Sequence, residues 1–366
     1  MLNEVFIIAG ARPNFMKIAP LIKEFRKQNI NFKLIHTGQH YDYNMSKIFF
    51  DNLGIPKPNI HLNIGSASHA TQTAKIMLEF EKVLLNQVPK LIVVVGDVNS
   101  TLACALVAKK LLIKVAHVEA GLRSFDMRMP EEINRLLTDQ ISDLLFTTEE
   151  SAEKNLKREG INSNKIFFVG NIMIDTLVMN LQKAKKINSL EKYDLKDKQY
   201  ALLTLHRPSN VDDKNDLEKM MKIIDYLQNK IKIFFPIHPR TQKNLKKFNF
   251  ESDLQKKNIV LSEPIGYLDF LNLMLNSKLI VTDSGGIQEE ASYLNIPVLT
   301  LRMNTERPIT VDLGTNTVVS NDINRAKACV DEIFSGNYKK AKNIDKWDGH
   351  TAKRIVKIIK EKIFLD

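Results

Sequence analysis

Short, continuous runs of apolar residues alternate with helix-period patterns along almost the whole chain. Runs such as LIVVVG and LIVT are apolar on both faces, which is typical of parallel strands covered by helices. The first set of predicted strands is Glu4–Gly10, Phe32–Thr37, Leu91–Gly96, Val115–Glu119, Leu144–Thr147 and Ile166–Gly170. The second set is Tyr200–Thr204, Ile231–Pro236, Asn258–Leu261, Leu279–Thr282, Val298–Leu301 and Thr317–Val319. This alternation predicts an α/β protein with two doubly wound parallel sheets.

Helical patterns separate the strands, and a polar, lysine-rich stretch at Gln182–Gln199 separates the two sets. We predict an N-terminal Rossmann-like domain of residues 1–172 and a C-terminal one of residues 173–349, facing each other across a cleft. The last pattern, Thr351–Phe364, has isoleucines at helical spacing and predicts an amphipathic helix. In the first half the predicted helices are Pro20–Lys27, Ala70–Leu85, Thr101–Leu111, Pro130–Ile141 and Ser151–Glu159.

Composition places the chain among ordinary globular proteins, with 366 residues, 44% hydrophobic and 26% charged. No apolar run approaches the ~18 residues of a membrane-spanning helix, and the first residues lack the basic start of a signal peptide. The two cysteines, Cys104 and Cys329, lie in apolar helical settings, which excludes a disulfide framework or a cysteine-built zinc site. We therefore expect a cytoplasmic protein without membrane insertion.

The net charge of +11 raises the possibility of a nucleic-acid partner. Many lysines, however, lie in connectors such as Lys183–Lys192 and Lys339–Lys346, where solvated faces explain them. No basic stripe is interleaved with aromatic residues, so we expect no nucleic-acid binding. A positive field around a small anionic substrate fits the charge equally well.

Ligands of such sheets bind where strands end and loops lead into helices, and charged residues cluster there in the first half. Arg12 and Lys17 follow the first strand at or near a helix N-terminus, where an anionic phosphate would be stabilised. Asp97 follows the most hydrophobic strand and is either an acid or base or a helix cap. Glu119 ends an apolar strand, where a charge needs a partner, and Glu131 lies in the first turn of a helix that opens with proline.

The second half repeats this arrangement. His206 and His238 each end a strand and precede a basic residue, which favours phosphate or acid–base roles over purely structural ones. In TDSGGIQEE a predicted strand ends and a helix begins at Ser284, Gly285 and Gly286. The free N–H groups at the start of this helix suit a diphosphate. The alternative is a strand-turn-helix corner without a ligand. Neither G-x-G-x-x-G nor a P-loop occurs, so a dinucleotide cofactor is unsupported.

Eight motifs together identify a family. GARPNFMKIAPL, TGQHYD, GDVNSTLA, HVEAGLRS, PEEINR, the helix-opening His206-Arg207, TDSGGIQEEA and TERP occur in the order found in the non-hydrolysing UDP-N-acetylglucosamine 2-epimerases, which the chain resembles over nearly its whole length. The resemblance implies the GT-B architecture, a C-terminal helix (350–366) that packs back on the first domain, and a homodimer. It implies catalytic roles for Asp97, Glu119, Glu131 and His206. It implies UDP-sugar binding by Arg12, Lys17, His238, Phe270, Ser284, Gly285, Gly286, Glu290 and Arg307.

The implied reaction eliminates UDP to a 2-acetamidoglucal and adds it back with the proton on the opposite face of carbon 2. Inversion needs acid and base groups on both faces of the sugar, which agrees with several carboxylates in one site. No hydride moves, so no nicotinamide is needed, in agreement with the missing glycine fingerprint. We expect no cofactor and no metal ion.

The sequence departs from the family's pattern in two places, and three other functions are alternatives to this interpretation. The Tyr-Asp-Tyr-Asn after Gln39-His40 differs from many bacterial members and puts a regulatory UDP-sugar site in doubt. The His-Arg-Pro-Ser at His206 differs from the commoner His-Arg-Arg-Glu. This difference leaves a UDP-linked diacetamido uronate as an alternative substrate for the same reaction. The rivals are a GT-B glycosyltransferase, which the acidic cluster disfavours, a hydrolysing epimerase, which usually carries a kinase domain, and a non-catalytic basic module.

Overall fold

The computed structural model describes residues 2–38, 50, 53–254 and 258–365. Contacts divide the chain into two compact units, Met1–Met179 with Asp345–Asp366, and Asn180–Ile344. The sequence-based boundaries were 172/173 and 349/350. The difference arises because one helix, Ile172–Lys185, runs through the first boundary.

The first unit is built on a parallel sheet of seven strands within the described residues, in the order β3-β2-β1-β4-β5-β6-β7. The strands are β1 (Leu2–Ala9), β2 (Phe32–His36), β3 (Ile60–His61), β4 (Pro89–Val95), β5 (Lys114–Ala120), β6 (Leu144–Thr147) and β7 (Ile166–Phe168). The helices are α1 (Arg12–Lys27), α2 (His69–Asn86), α3 (Asn99–Lys110), α4 (Pro130–Ile141), α5 (Glu150–Arg158) and α6 (Ile172–Lys185). β1, β4 and β5 lie centrally, so their carboxyl ends are neighbours.

The second unit has a parallel sheet of six described strands, in the order β10-β9-β8-β11-β12-β13. The strands are β8 (Tyr200–Thr204), β9 (Lys232–Pro236), β10 (Ile259–Ser262), β11 (Leu279–Thr282), β12 (Val298–Thr300) and β13 (Asn316–Val318). The helices are α7 (Ser189–Lys192), α8 (Pro208–Val211), α9 (Lys214–Gln228), α10 (Pro239–Lys247), α11 (Glu251–Leu254), α12 (Tyr267–Asn276), α13 (Gly285–Tyr293), α14 (Ile309–Asp312) and α15 (Ile323–Ser335). Each unit therefore has the doubly wound α/β topology that the apolar pattern predicts.

Helix α1 begins at Arg12, eight residues before its predicted start at Pro20. A proline inside a helix removes the hydrogen bond to the carbonyl four residues earlier, here that of Met16. The Thr176 hydroxyl of α6 donates to the Met16 carbonyl instead, so the orphaned acceptor is satisfied. The prediction was wrong because this partner is distant in sequence.

The C-terminal helix α16 (Thr351–Ile359) continues into a π-helical turn at Lys360–Phe364 and packs against α1. The Asp175 carboxylate accepts hydrogen bonds from the N–H groups of Thr351 (3.0 Å) and Ala352 (2.7 Å). It satisfies two donors that an uncapped helix would leave free. Cys104 and Cys329 are free and buried, as expected of core residues. No helix in the described part of the chain is long and apolar enough to cross a membrane.

Candidate functional site

The turn after β1 is tied to the end of β4 by one side chain. Asn14 accepts hydrogen bonds from the N–H groups of Gly10 and Ala11, both at 3.0 Å, and donates to the Val95 carbonyl at 3.1 Å. This fixes the first turn of α1 and brings Lys17 to the neighbouring strand ends. Arg12 is the first residue of α1, and its side chain lies outside the part of the structure that is described.

Lys17 and Glu119 form a buried ion pair, with side chains 7% and 2% exposed. A Cβ atom at position 96 would lie 2.7 Å from Lys17 Nζ, so the ammonium group lies directly against Gly96, whose φ of 68° also favours glycine. Glu119 has a φ of 74° at an irregularity in the pairing of β5 with β6. A left-handed backbone is costly for a residue with a side chain and is commonly retained at functional sites. The structure thus brings together two of the residues singled out from sequence.

Asp97 follows β4 and is held by Arg135 of α4. Its Oδ2 atom lies 3.1 Å from Arg135 Nε and 2.9 Å from Nη2, and Asn134 Nδ2 donates to its carbonyl at 2.9 Å. The N-cap of α3 is Val98, so Asp97 is not the capping residue that one of the two sequence interpretations required. The carboxylate is 27% exposed, which leaves it accessible to a ligand.

Glu131 and Glu132 share the first turn of α4 but have different environments. Glu131 is half-buried, whereas Glu132 is 1% exposed. Glu132 accepts from Ser124 N (2.9 Å), Ser124 Oγ (3.0 Å) and Phe125 N (3.0 Å), and pairs with Arg135. It therefore fixes the loop after β5 and the arginine that holds Asp97. Sequence reasoning missed the roles of Glu132 and Arg135, although their i,i+3 spacing suits an ion pair.

In the second unit, the Ser284 turn connects β11 to α13. Thr282 Oγ1 accepts from Ser284 N at 3.0 Å and lies 2.6 Å from Thr204 Oγ1, which fixes the turn against β8. A Cβ atom at Gly285 would lie 2.7 Å from Arg307 Nη1. Arg307 is in turn held by Glu289, with Nε and Oε1 2.8 Å apart. Its guanidinium group therefore lies beside the N-terminus of α13, where Gly286 follows, and both features favour an anion.

Glu290 lies in α13 and is deeply buried. The Tyr267 hydroxyl of α12 donates to its Oε1 atom at 2.8 Å. Burial, with a contribution from the charge of Glu289, raises the pKa of Glu290 to about 7 despite the opposing Tyr267 bond. Burial and the neighbouring carboxyl also raise the pKa of Tyr267. The sequence did not identify Tyr267, because nothing in its helix distinguishes it from a core aromatic residue.

His206 is anchored by the buried Asp283. The Asp283 carboxylate accepts from the N–H groups of His206 (2.8 Å) and Arg207 (2.7 Å) and lies 2.8 Å from His206 Nδ1. Burial alone would raise the pKa of Asp283, but these donors hold it below its usual value. His206 is partly exposed, and its ring centroid lies 5.5 Å from that of His238.

His238 and Phe270 complete the residues expected in the second unit. His238 Nδ1 accepts from Arg240 N at 3.2 Å and caps α10, which leaves its other ring nitrogen as the hydrogen-bond donor when the ring is neutral. Phe270 of α12 is half-buried against the apolar cluster that contains Tyr200. Among the described residues, no group of three or more His, Cys, Asp or Glu side chains is placed to hold a metal ion.

Comparisons with known proteins agree on one family. The family model described as UDP-N-acetylglucosamine 2-epimerase matches residues 23–360. A relative from Methanocaldococcus jannaschii, named UDP-N-acetylglucosamine 2-epimerase, is 49% identical over 361 residues, covering 96% of this chain and 98% of its own. A relative from Pseudomonas aeruginosa, named UDP-2,3-diacetamido-2,3-dideoxy-D-glucuronate 2-epimerase, is 41% identical over 320 residues, covering 86% of this chain and 88% of its own. A crystal structure of the M. jannaschii epimerase in complex with UDP-GlcNAc and UDP matches with a TM-score of 0.90 at 47% identity, covering 98% of this chain and 99% of that one.

Proposed function

The chain belongs to the UDP-N-acetylglucosamine 2-epimerase family, and from that premise we propose that it interconverts UDP-N-acetylglucosamine and UDP-N-acetylmannosamine. The observation that carries the proposal is the pair of carboxylates with unlike partners in the first unit: Glu119 with Lys17, and Asp97 with Arg135. Inversion of a carbon centre by proton removal and return requires two such groups.

We assign nucleotide binding to the second unit. The N–H groups at the start of α13, at Gly285 and Gly286, would bind the diphosphate together with Arg307. Glu290 would accept hydrogen bonds from the ribose hydroxyls, and Phe270 would contact the base. His206 and His238, whose ring centroids lie 5.5 Å apart, would stabilise the charge that develops as UDP leaves carbon 1.

We assign proton transfer at carbon 2 to the first unit. Arginine does not lose its proton in proteins, so Arg135 would keep Asp97 ionised as one base. Glu119, held in place by Lys17, would take up or return the proton on the other face of the sugar. Glu131, half-buried in the first turn of α4, would serve the same sugar end. Elimination gives UDP and a 2-acetamidoglucal, and re-addition of UDP returns the proton with either configuration.

The proposal is tested by proton NMR of the enzyme with UDP-N-acetylglucosamine in heavy water. We expect a manno isomer that carries deuterium at carbon 2. Asp97→Asn and Glu119→Gln should lower turnover about 100-fold or more, the scale of a lost general acid or base, with little change in UDP affinity. Exposed Glu81 provides the matched control, and Glu81→Gln should turn over as the wild type does. Product without deuterium at carbon 2 would show that the elimination mechanism is wrong.

A second substrate is supported by the P. aeruginosa relative, whose name specifies a diacetamido glucuronate. The same elimination chemistry would act on it, because the reacting carbons carry the same groups. Comparing kcat/KM for the two UDP-sugars decides between them, and a higher value for the uronate would reassign the substrate.

We further propose that the enzyme is a homodimer. Its support is the apolar side chains that α2 and α4 expose at helical spacing, among them Leu78 and Leu85 on α2 and Ile133 and Leu137 on α4. Light scattering that gives the mass of one chain at micromolar concentration would exclude this assembly.

A cytoplasmic location is the last part of the proposal. It rests on Cys104 and Cys329, which are free thiols and therefore suit a reducing compartment. Cell fractionation that recovers the protein only outside the cytoplasm would contradict it.

A further inference from the structure

Behind the Asp97 turn lies a fully buried histidine that the reaction assigned above does not use. His117 of β5 is 0% exposed, and both of its ring nitrogens have partners. Nδ1 lies 2.7 Å from Asp139 Oδ1 of α4, and Nε2 lies 2.8 Å from the Gly96 carbonyl oxygen at the end of β4. The ring therefore bridges a helix to the residue immediately before Asp97.

Both partners of the ring are hydrogen-bond acceptors. A carbonyl oxygen accepts only, and an ionised carboxylate accepts only. A neutral imidazole carries one N–H group and would leave one nitrogen lone pair facing an acceptor oxygen. The doubly protonated imidazolium donates to both atoms, so it is the form that satisfies this geometry.

Two groups other than His117, Gly121 N and Arg123, also favour the ionised form of Asp139. Its Oδ2 atom accepts from Gly121 N at 3.0 Å and lies 2.7 Å from Arg123 Nη2. Burial alone would raise the pKa of Asp139, but His117 and Arg123 together hold it below its usual value. Arg123 also pairs with Glu159 at the end of α5, at 2.6 Å. The charges on this side of β5 thus alternate in sign from His117 through Asp139 and Arg123 to Glu159. With His117 as the imidazolium, these four charges sum to zero.

The bridge restrains the backbone that carries the catalytic carboxylates. Gly96 has a φ of 68°, and its N–H donates to the Val118 carbonyl at 3.0 Å while its own carbonyl accepts from His117. Val118 immediately precedes Glu119, and Gly96 immediately precedes Asp97. Gly96 is therefore held on both sides, through the N–H of the peptide unit before it and the carbonyl of the peptide unit after it.

We propose that His117 is a positioning residue of the epimerase: as a buried imidazolium fixed by Asp139, it holds the Gly96 carbonyl and thereby the direction of Asp97. The proposal rests on the proposed function, since Asp97 must be a proton-transfer group for its direction to matter. His117 itself contacts no reacting atom in this assignment. A misplacement of about 1 Å at a catalytic group lowers the rate by up to about 100-fold.

The first test needs no substrate. Two-bond proton–nitrogen correlation spectra of full-length enzyme labelled with nitrogen-15 histidine report which ring nitrogens carry protons. At neutral pH we expect His117 to be protonated on both nitrogens. The signal is assigned by its absence in His117→Phe, or by elimination with single variants of the other seven histidines if that variant does not fold. A singly protonated His117 in the wild type would overturn the proposal.

Two variants separate the charge from the hydrogen bond. Asp139→Asn turns an amide donor toward Nδ1, so His117 should become neutral with its proton on Nε2 and keep the bond to Gly96. His117→Phe keeps the ring volume and removes both donors. We expect kcat to fall by about 10-fold to 100-fold in His117→Phe and less in Asp139→Asn, with KM and UDP affinity nearly unchanged in both.

The control is His350→Phe, which alters an exposed histidine outside the site and should leave kcat unchanged. A folded His117→Phe enzyme with wild-type kcat would also overturn the proposal. Failure of the wild type to turn over any UDP-sugar would instead count against the proposed function, because the protonation of His117 is measured without substrate.

Discussion

Replacing Glu290 with glutamine isolates the effect of one buried carboxyl group on the stability of the second unit. Glutamine has nearly the same shape, and its Oε1 atom still accepts the hydrogen bond from the Tyr267 hydroxyl. The substitution therefore removes the titration of Glu290 and little else.

The magnitude follows from the raised pKa. Folding shifts the pKa of Glu290 from 4.5 to about 7, chiefly through burial. At about 1.4 kcal/mol per pKa unit, this shift corresponds to about 3 kcal/mol of unfolding free energy. Because the folded state holds the proton more tightly, the wild type has this stability below pH 4.5 and loses it as the pH rises through about 7.

The assay is urea unfolding of wild type and Glu290→Gln, followed by circular dichroism at intervals between about pH 4.5 and about pH 8. The variant should gain about 3 kcal/mol relative to the wild type over this range. Exposed Glu263 is the matched control, and the difference between wild type and Glu263→Gln should not change with pH. A constant difference between wild type and Glu290→Gln would refute the reasoning.

Two further predictions concern the strand ends of each unit. Gly285→Ala places a Cβ atom 2.7 Å from Arg307 Nη1, so calorimetry should show UDP affinity lowered about tenfold or more with the fold intact. The control is Gly160→Ala in the other unit, where the Cβ atom meets no atom within 4 Å but the φ of 80° strains an alanine, so stability should fall while UDP affinity is unchanged. Unchanged UDP affinity in folded Gly285→Ala would remove this turn from the nucleotide site. His36 of β2 has its pKa lowered from 6.5 to about 4 by burial and then by His61, so the protein should lose about 3 kcal/mol of stability as the pH falls from 6.5 through 4. His36→Phe should abolish that loss in acid unfolding curves, and an identical acid profile in the two proteins would contradict the assignment.

The strands of both units were predictable because a parallel sheet covered by helices needs side chains that are apolar on both faces. Leu144–Thr147, Tyr200–Thr204 and Leu279–Thr282 have the bounds that their apolar runs predict. Strand β3 has only two residues, one of them exposed, and so offers no such run. The segment after Gln39, where the sequence questioned a regulatory site, lies outside the described residues.

The positions of the candidate site residues at strand ends were predictable, but the partners of these residues were not. Parallel sheets bring strand ends together, so residues at strand ends such as Asp97, Glu119 and His206 stood out. The arginine that holds Asp97 is 38 positions away, and the tyrosine that binds Glu290 is 23 positions away. These separations are set by the packing of helices on the sheet, which a single sequence does not specify.

One physical requirement links the charged residues that the sequence predicted to the partners that it did not predict. A charge buried without a partner is too costly to keep, so a glutamate that ends an apolar strand predicts that a partner exists without naming it. For Glu119 the partner is Lys17, whose ammonium group lies beside Gly96, a residue with a φ of 68°. The same argument applied to His117, an apolar-strand histidine, requires two acceptors rather than one, and the structure supplies them in Asp139 and the Gly96 carbonyl. The buried charges around Asp97 and Glu119 are therefore parts of one arrangement, in which Arg135 holds Asp97, Lys17 holds Glu119 and His117 holds the Gly96 carbonyl between them.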